Sequence, residues 1–192
     1  MVRLILVRHG STALSEQGRY QGRIDVPLTP RGIREAGELG RRWDPLEIDA
    51  LWSSDLCRAR QTVEIAFPGR SVRLDPRLRE IDFGAFDGRT YEENRQRFED
   101  AFSDWLKDPA SGRPPGGESL GELEARVASW LNELANDREA PGDRLHLAVT
   151  HGGVIRVALS LARRIPFVDV ARLSLPPCAS MEIDLGFGVE IR

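Results

Sequence analysis

A chain of 192 residues with 41% hydrophobic side chains is long enough to bury about 70% of its unfolded surface around one core, which excludes a disordered or collagen-like polymer. A formal charge of -3, from 27 basic and 30 acidic residues, argues against a nucleic-acid protein, whose footprint is a strongly basic domain. Cys57 and Cys178 form no disulfide or metal-like spacing, and there is no signal-peptide pattern or membrane-length apolar run, so a cytoplasmic setting without membrane contact is expected.

Val2 to Val7 is a short apolar, partly β-branched run that suits a buried parallel strand ending at Arg8-His9-Gly10. A polar loop from Ser15 to Asp25 follows. Thr29 before Pro30 is a helix-start signal, and Ile33, Ala36, Leu39 or Gly40, and Trp43 recur at helical spacing. Ala50 to Ser53 reads as a second strand, and from Asp55 the residues Leu56, Ala59, Val63 and Ala66 give a helix that Pro68 and Gly69 end. Ser71 to Leu74 is a third short strand.

The segment Leu78 to Gly88 has no period and reads as loop, followed by a polar helical stretch from Tyr91 to Leu106. Asp108 to Gly117 is loop on its proline and glycine content. Leu120, Leu123, Val127, Trp130, Leu131 and Leu134 then give the cleanest helical stripe in the chain. Leu145 to Val149 is a strand that Thr150-His151-Gly152-Gly153 turns into a helix from Val154 to Leu161. Met181, Ile183 and Leu185 alternate with Glu182 and Asp184, which indicates a terminal strand and a hairpin at Gly186-Phe187-Gly188.

Strands alternating with helices predict an α/β fold, with a mostly parallel central sheet covered on both faces and an antiparallel strand near the C-terminus. Ligands bind such sheets beyond the carboxyl ends of the strands. Histidines stand at two of those ends, His9 and His151.

A strand ending in Arg8-His9-Gly10, a strand-to-helix turn carrying Arg58, and the strand-end His151 would bring two imidazoles and two guanidiniums to one sheet edge. Phosphoryl transfer spreads charge over three oxygens, so such a site needs several fixed donors and an in-line nucleophile. Arg8, Arg58 and His151 supply donors, and free N–H groups at the helix start by Gly152 favour an anion. A neutral His9 imidazole supplies the nucleophile. The leaving alkoxide needs a proton, for which Glu80 is the candidate carboxylic acid, with Asp82 and Asp87 in the same acidic loop.

The segments VRHGST (Val7 to Thr12), QGRIDVPLTPRG (Gln21 to Gly32), SSDLCRARQT (Ser53 to Thr62), LREIDFGAFDG (Leu78 to Gly88), GGES (Gly116 to Ser119) and THGGVIR (Thr150 to Arg156) resemble the histidine phosphatase superfamily, the phosphoglycerate-mutase-like fold. They occur in family order. The resemblance implies a three-layer α/β/α sandwich as one domain over residues 1–192. It makes His9 the phosphorylated nucleophile, Arg8, Arg58 and His151 the phosphate pocket, and Glu80 the proton donor, with no metal or organic cofactor. Ser15 stands where the family often has Asn, and its hydroxyl can still donate to a phosphate oxygen. Gln21 and Gly22 are expected near the substrate, a small phosphorylated metabolite, and residues 91–117 are expected to form a lid that sets selectivity.

Plainer readings apply elsewhere. His146, inside a strand, is assigned to packing. Cys57 stands at a helix start beside Arg58, which can lower a thiol pKa, although a plain buried thiol is the simpler reading. Gly117-Glu118-Ser119-Leu120-Gly121 satisfies G-x-S-x-G, but no strand can precede it, and Ser119 with Glu122 reads as a helix capping box. Lys107 is the one lysine beside 26 arginines, a skew that base composition explains for most of them. The rival activity is a cofactor-dependent phosphoglycerate mutase. Against it, Ile81 to Gly88 lacks the histidine, tyrosine and Asn-Lys features that mutases of the family typically carry after the acid. An inactive phosphate-binding module is a weaker rival. A free edge strand or the hairpin leaves a homodimer open.

Overall fold

The computed structural model describes residues 2–43, 47–108, 112–136 and 143–185. In chain order the elements are β1 (Val2–Arg8), α1 (Ala13–Glu16), α2 (Pro30–Trp43), β2 (Ala50–Ser53), α3 (Cys57–Ala66), β3 (Val72–Leu74), α4 (Tyr91–Arg97), α5 (Glu99–Lys107), α6 (Leu120–Asn136), β4 (Arg144–Thr150), α7 (Gly152–Arg163), α8 (Phe167–Val170) and β5 (Ser180–Leu185). The sheet order is β3-β2-β4-β1-β5; β1, β4, β2 and β3 run parallel, and β5 is antiparallel to β1.

Alternation along the strands sorts side chains to two cores. Leu4 and Leu6 of β1 pack with Ala148 of β4 and with Trp130 and Leu131 of α6 and Val154 and Ala158 of α7, all buried. Ile5 and Val7 go to the other face, with Leu147 and Val149 of β4, Leu39 of α2 and Ala59 and Val63 of α3. The result is three layers, α/β/α. Each fully buried Leu, Ile or Val is worth about 1.5–3 kcal/mol relative to exposure, so both faces contribute heavily to stability.

The helix starts follow their local chemistry. The Thr29 hydroxyl accepts from the Gly32 N–H at the head of α2, and Thr90 and Glu93 form a reciprocal capping box at α4. Ser119 and Glu122 do the same at α6: Glu122 N–H donates to Ser119 Oγ at 3.2 Å, and Ser119 N–H to Glu122 Oε2 at 2.9 Å. Ser119 is therefore a cap, with no strand before it.

Four expectations need correction. Ile33 is 49% exposed, and the buried stripe of α2 is Gly32, Ala36, Leu39 and Gly40. The reason is close approach: a Cβ on Gly32 would lie 2.2 Å from the Ser11 carbonyl oxygen, so only glycine lets the helix pack against the turn after β1. The stretch from Tyr91 to Leu106 breaks at Phe98 into α4 and α5. That break lets Phe98 reach Phe86 (5.6 Å between ring centroids), which Phe102 of α5 also meets at 5.1 Å. The loop after β1 contains a short helix, α1, and the acidic loop after β3 contains two 3-10 turns, Pro76–Leu78 and Gly84–Phe86. The hairpin at Gly186-Phe187-Gly188 lies outside the described residues. Among the described residues, no helix is long and apolar enough to cross a membrane.

Candidate active site

The register of β1 and β4 builds the site. Arg8 pairs with Thr150 as the last residues of adjacent parallel strands, so the next residue on each chain, His9 and His151, emerges side by side. Their ring centroids are 5.1 Å apart at 60°. Ser53 of β2 pairs with Val149 of β4, which brings the following Ser54 alongside, and its hydroxyl lies 2.9 Å from His151 Nε2.

His9 is 4% exposed, and its Nδ1 is 2.8 Å from the Gly10 carbonyl oxygen. A carbonyl only accepts, so Nδ1 carries the proton and Nε2 presents its lone pair. Arg58 Nε donates toward that Nε2 at 3.3 Å. Burial, then the Arg58 charge, push the His9 pKa well below its ordinary value, against a smaller opposing effect of the Gly10 bond. His151 is fully buried and its pKa is pushed down the same way, by burial, then Arg58 and His9. Both imidazoles are neutral at pH 7.

Arg58 occupies the first turn of α3 yet is 0% exposed. Its Nη2 donates to the Gly22 carbonyl at 2.8 Å and its Nη1 to the Ile24 carbonyl at 3.0 Å. Those carbonyls are held in turn: the Asp87 carboxylate accepts from the N–H groups of Gly22 (2.7 Å), Arg23 (2.8 Å) and Ile24 (2.8 Å). Burial lowers the Arg58 pKa to about 10, so the guanidinium stays charged at neutral pH. Arg8, half-buried and with its pKa also lowered by burial, donates from Nη1 to the Leu175 carbonyl. Glu80 is the leading opposite charge acting on both arginines.

Glu80 caps α7 from outside. His151 offers no side-chain cap to that helix; instead both Glu80 oxygens accept from the Gly153 N–H, at 3.1 and 3.0 Å. A Cβ on Gly153 would lie 2.3 Å from Glu80 Oε1, so glycine is required for this approach. The backbone of the acid is anchored too. Arg126 Nη2 donates to the Glu80 carbonyl at 3.0 Å while Arg126 forms a bidentate pair with Glu118.

His9, Arg8, Arg58, His151, Glu80 and Gly152 are thus brought together at one sheet edge, with Gln21 and Gly22 against Arg58. Ser15 is used differently: its hydroxyl donates to the Thr12 carbonyl and accepts from the Thr12 N–H, both at 2.9 Å, so it closes the turn of α1. Gly22 has its N–H on Asp87 and its carbonyl on Arg58. Gln21 accepts from the Thr12 hydroxyl at 2.7 Å, and its buried side-chain Nε2 has no partner. Asp87, named beside Glu80 as an acid of the same loop, holds backbone instead, and sequence reasoning did not single out Ser54, Gly153, Arg126 or Thr62, whose hydroxyl accepts from the Gly10 N–H at 3.0 Å. All but Arg126 lie inside the quoted segments, but their roles depend on contacts across the sheet edge. The Cys57 thiol is pushed up by burial and by Asp25, which overturns a lowered pKa there. His146 is buried and stacks at 6.4 Å on Trp52, a packing role. Among the described residues, no three His, Cys, Asp or Glu side chains gather as metal ligands.

Chemically, the site offers a lone pair on a fixed imidazole, two buried cations, a neutral second imidazole and a carboxyl group. Known proteins share this chain's sequence pattern and fold. The family model described as "Histidine phosphatase superfamily (branch 1)" matches residues 4–188. A relative in Salmonella choleraesuis named "Probable phosphoglycerate mutase GpmB" is 35% identical over 96% of this chain and 85% of its own length. The alpha-ribazole phosphatase of Shigella flexneri superposes with a TM-score of 0.85 at 25% identity, covering 99% of this chain and 98% of that one. A phosphoserine phosphatase of Entamoeba histolytica, solved with 3-phosphoglyceric acid, gives 0.83 at 26% identity over 95% and 90%. With strand ends, histidine pair and near-complete family match in agreement, the chain belongs to branch 1 of the histidine phosphatase superfamily.

Proposed function

We propose that the protein is a cytoplasmic phosphomonoester hydrolase working through a phosphohistidine at His9. The observation that carries this reading is the fixed tautomer of a buried, neutral imidazole: Nδ1–H on the Gly10 carbonyl, and an unprotonated Nε2 whose lone pair accepts from Arg58 Nε at 3.3 Å. A phosphate entering the site takes over the Arg58 Nε donor, and Arg8, Arg58 and His151 face its oxygens. The unpartnered Gln21 amide is a further donor for them. His9 Nε2 forms the new bond to phosphorus as the bond to the ester oxygen breaks, and Glu80, acting in its carboxylic acid form, passes its proton to that oxygen and becomes the carboxylate. Glu80 then takes a proton from water as the water oxygen attacks phosphorus and the P–N bond breaks. Phosphate leaves, and His9 and Glu80 return to their starting states.

Ser15 and Gly22 serve this site through the backbone they hold. The α4–α5 segment, within residues 91–117, acts as the lid. The rival activity, phosphoryl transfer between 3- and 2-phosphoglycerate, is supported by the name of the Salmonella relative. One assay set separates the two: phosphate release from an aryl phosphate and from 3-phosphoglycerate, with and without 2,3-bisphosphoglycerate. Release from the aryl ester, lost by at least about 10³-fold in His9→Ala, is expected. Accumulation of 2-phosphoglycerate without phosphate would favour the mutase, and full activity of His9→Ala would refute the mechanism.

A further inference from the structure

Glu80 and Gly153 also line a cavity of about 410 Å³, a volume in the range of a ring-sized organic group. Its wall is aromatic. Tyr20, Phe83 and Trp105 meet edge to face, with centroids 5.0, 6.0 and 6.1 Å apart, and Phe102 of α5 backs both Tyr20 and Trp105 at 5.9 Å. These rings arise from three separate segments and hold one another, so the wall exists before any ligand enters.

One basic side chain lines the same cavity, that of Arg156. Its Nη2 donates to the Leu173 carbonyl at 2.9 Å, its buried Nε has no partner, and it forms no ion pair with any carboxylate among the described residues. Glu80 makes no ion pair with it; its two oxygens accept from the Gly153 N–H instead. Arg156 and Glu80 instead flank one glycine: a Cβ on Gly152 would lie 2.9 Å from Arg156 Nη1 and 4.0 Å from Glu80 Oε2. A guanidinium beside an apolar wall with most of its donors unspent carries a desolvation cost that an anionic ligand group would offset.

We propose that this cavity receives the leaving group, and that the preferred substrates are phosphate monoesters of a ring-sized apolar alcohol carrying a second anionic group. The ring packs on Tyr20, Phe83 and Trp105, the ester oxygen sits at Glu80, and the anion pairs with Arg156. This rests on the hydrolase reading above and narrows its substrate class. Arg156 is then a specificity residue that acts on the leaving group, away from the transferring phosphoryl.

Three esters whose leaving alcohols have similar acidity test it: ethyl phosphate, 2-phenylethyl phosphate and 2-(4-carboxyphenyl)ethyl phosphate, with 4-nitrophenyl phosphate as a general probe. For the wild type, kcat/KM is expected to rise about tenfold or more from ethyl to phenylethyl, and about tenfold again with the carboxylate. Trp105→Ala should shrink the first step. Arg156→Gln should collapse the ratio between the two ring-bearing esters, and Arg156→Lys should restore part of it. Equal kcat/KM for the ethyl and phenylethyl esters overturns the inference, as does an Arg156→Gln effect that lowers all three alike, which marks a purely structural role through Leu173. Cleavage of 4-nitrophenyl phosphate with none of the three alkyl esters cleaved overturns this inference and leaves the hydrolase reading standing. Failure to release phosphate from any of the four refutes both.

Discussion

His9 and His151 are held neutral by burial and by Arg58, and this has a consequence for stability. In the unfolded chain each imidazole takes a proton near pH 6.5, whereas in the folded protein each resists until well below that. The unfolded state therefore binds more protons as pH falls, and stability declines below about pH 6.5 with a slope of at most one proton per histidine. Above pH 7 the contribution is complete. Urea unfolding at pH 7.5 and 5.5 should show this loss in the wild type and a smaller one in His9→Asn/His151→Asn; equal losses would mean that these histidines are not held neutral. A second expectation concerns Gly153, where any Cβ displaces the Glu80 carboxylate. Gly153→Ala should resemble Glu80→Gln: both should slow esters of poorly acidic alcohols more than 4-nitrophenyl phosphate, because only the former need the proton. Equal slowing of both ester types in Glu80→Gln would count against proton donation. At this scale the two histidines, three positive or acidic partners and their segments were legible in the sequence. Ser54, Thr62 and Gly153 were not singled out, since a serine, a threonine and a glycine carry no chemical signature until a cross-sheet contact gives them one.

At the scale of elements, the strands were readable because short β-branched runs bounded by turns have few alternatives. What periodicity could not supply was register, and it is the pairing of Arg8 with Thr150 that sets the two imidazoles 5.1 Å apart. Helix faces were less legible wherever glycine does the packing. In α2 a hydrophobic count selects Ile33, whereas close approach to Ser11 selects Gly32. The division of α4 from α5 was hidden for a similar reason: Phe98 leaves helical geometry to pack on Phe86, a tertiary demand that overrides local propensity. The α6 cap was legible from its Ser-x-x-Glu spacing. Ser119→Ala should lower stability by about 1 kcal/mol, a fall in Tm of roughly 2–4 °C by calorimetry, with phosphatase activity unchanged. Loss of activity at unchanged Tm would revive a role for Ser119 in chemistry.

For the whole molecule, the net charge of -3 conceals a sharply uneven distribution. Several arginines form exposed or half-exposed pairs, such as Arg3 with Glu182, Arg19 with Glu93 and Arg31 with Glu35, each worth little in water. Arg8 and Arg58 differ: they are drawn into the sheet edge, tied to backbone carbonyls, and face a carboxyl that is itself fixed on a helix start. The α/β/α layering makes this affordable, because both faces of the sheet bury continuous cores while the strand ends stay polar. The reading of the molecule turns on a covalent bond at His9, and trapping that bond tests it most directly. Acid-free denaturation during turnover of an aryl phosphate, followed by mass analysis of peptides, should show one phosphoryl group on the peptide containing His9 and none in His9→Ala. Steady phosphate release with no phosphorylated protein, or a phosphoryl group on a different residue, would contradict it.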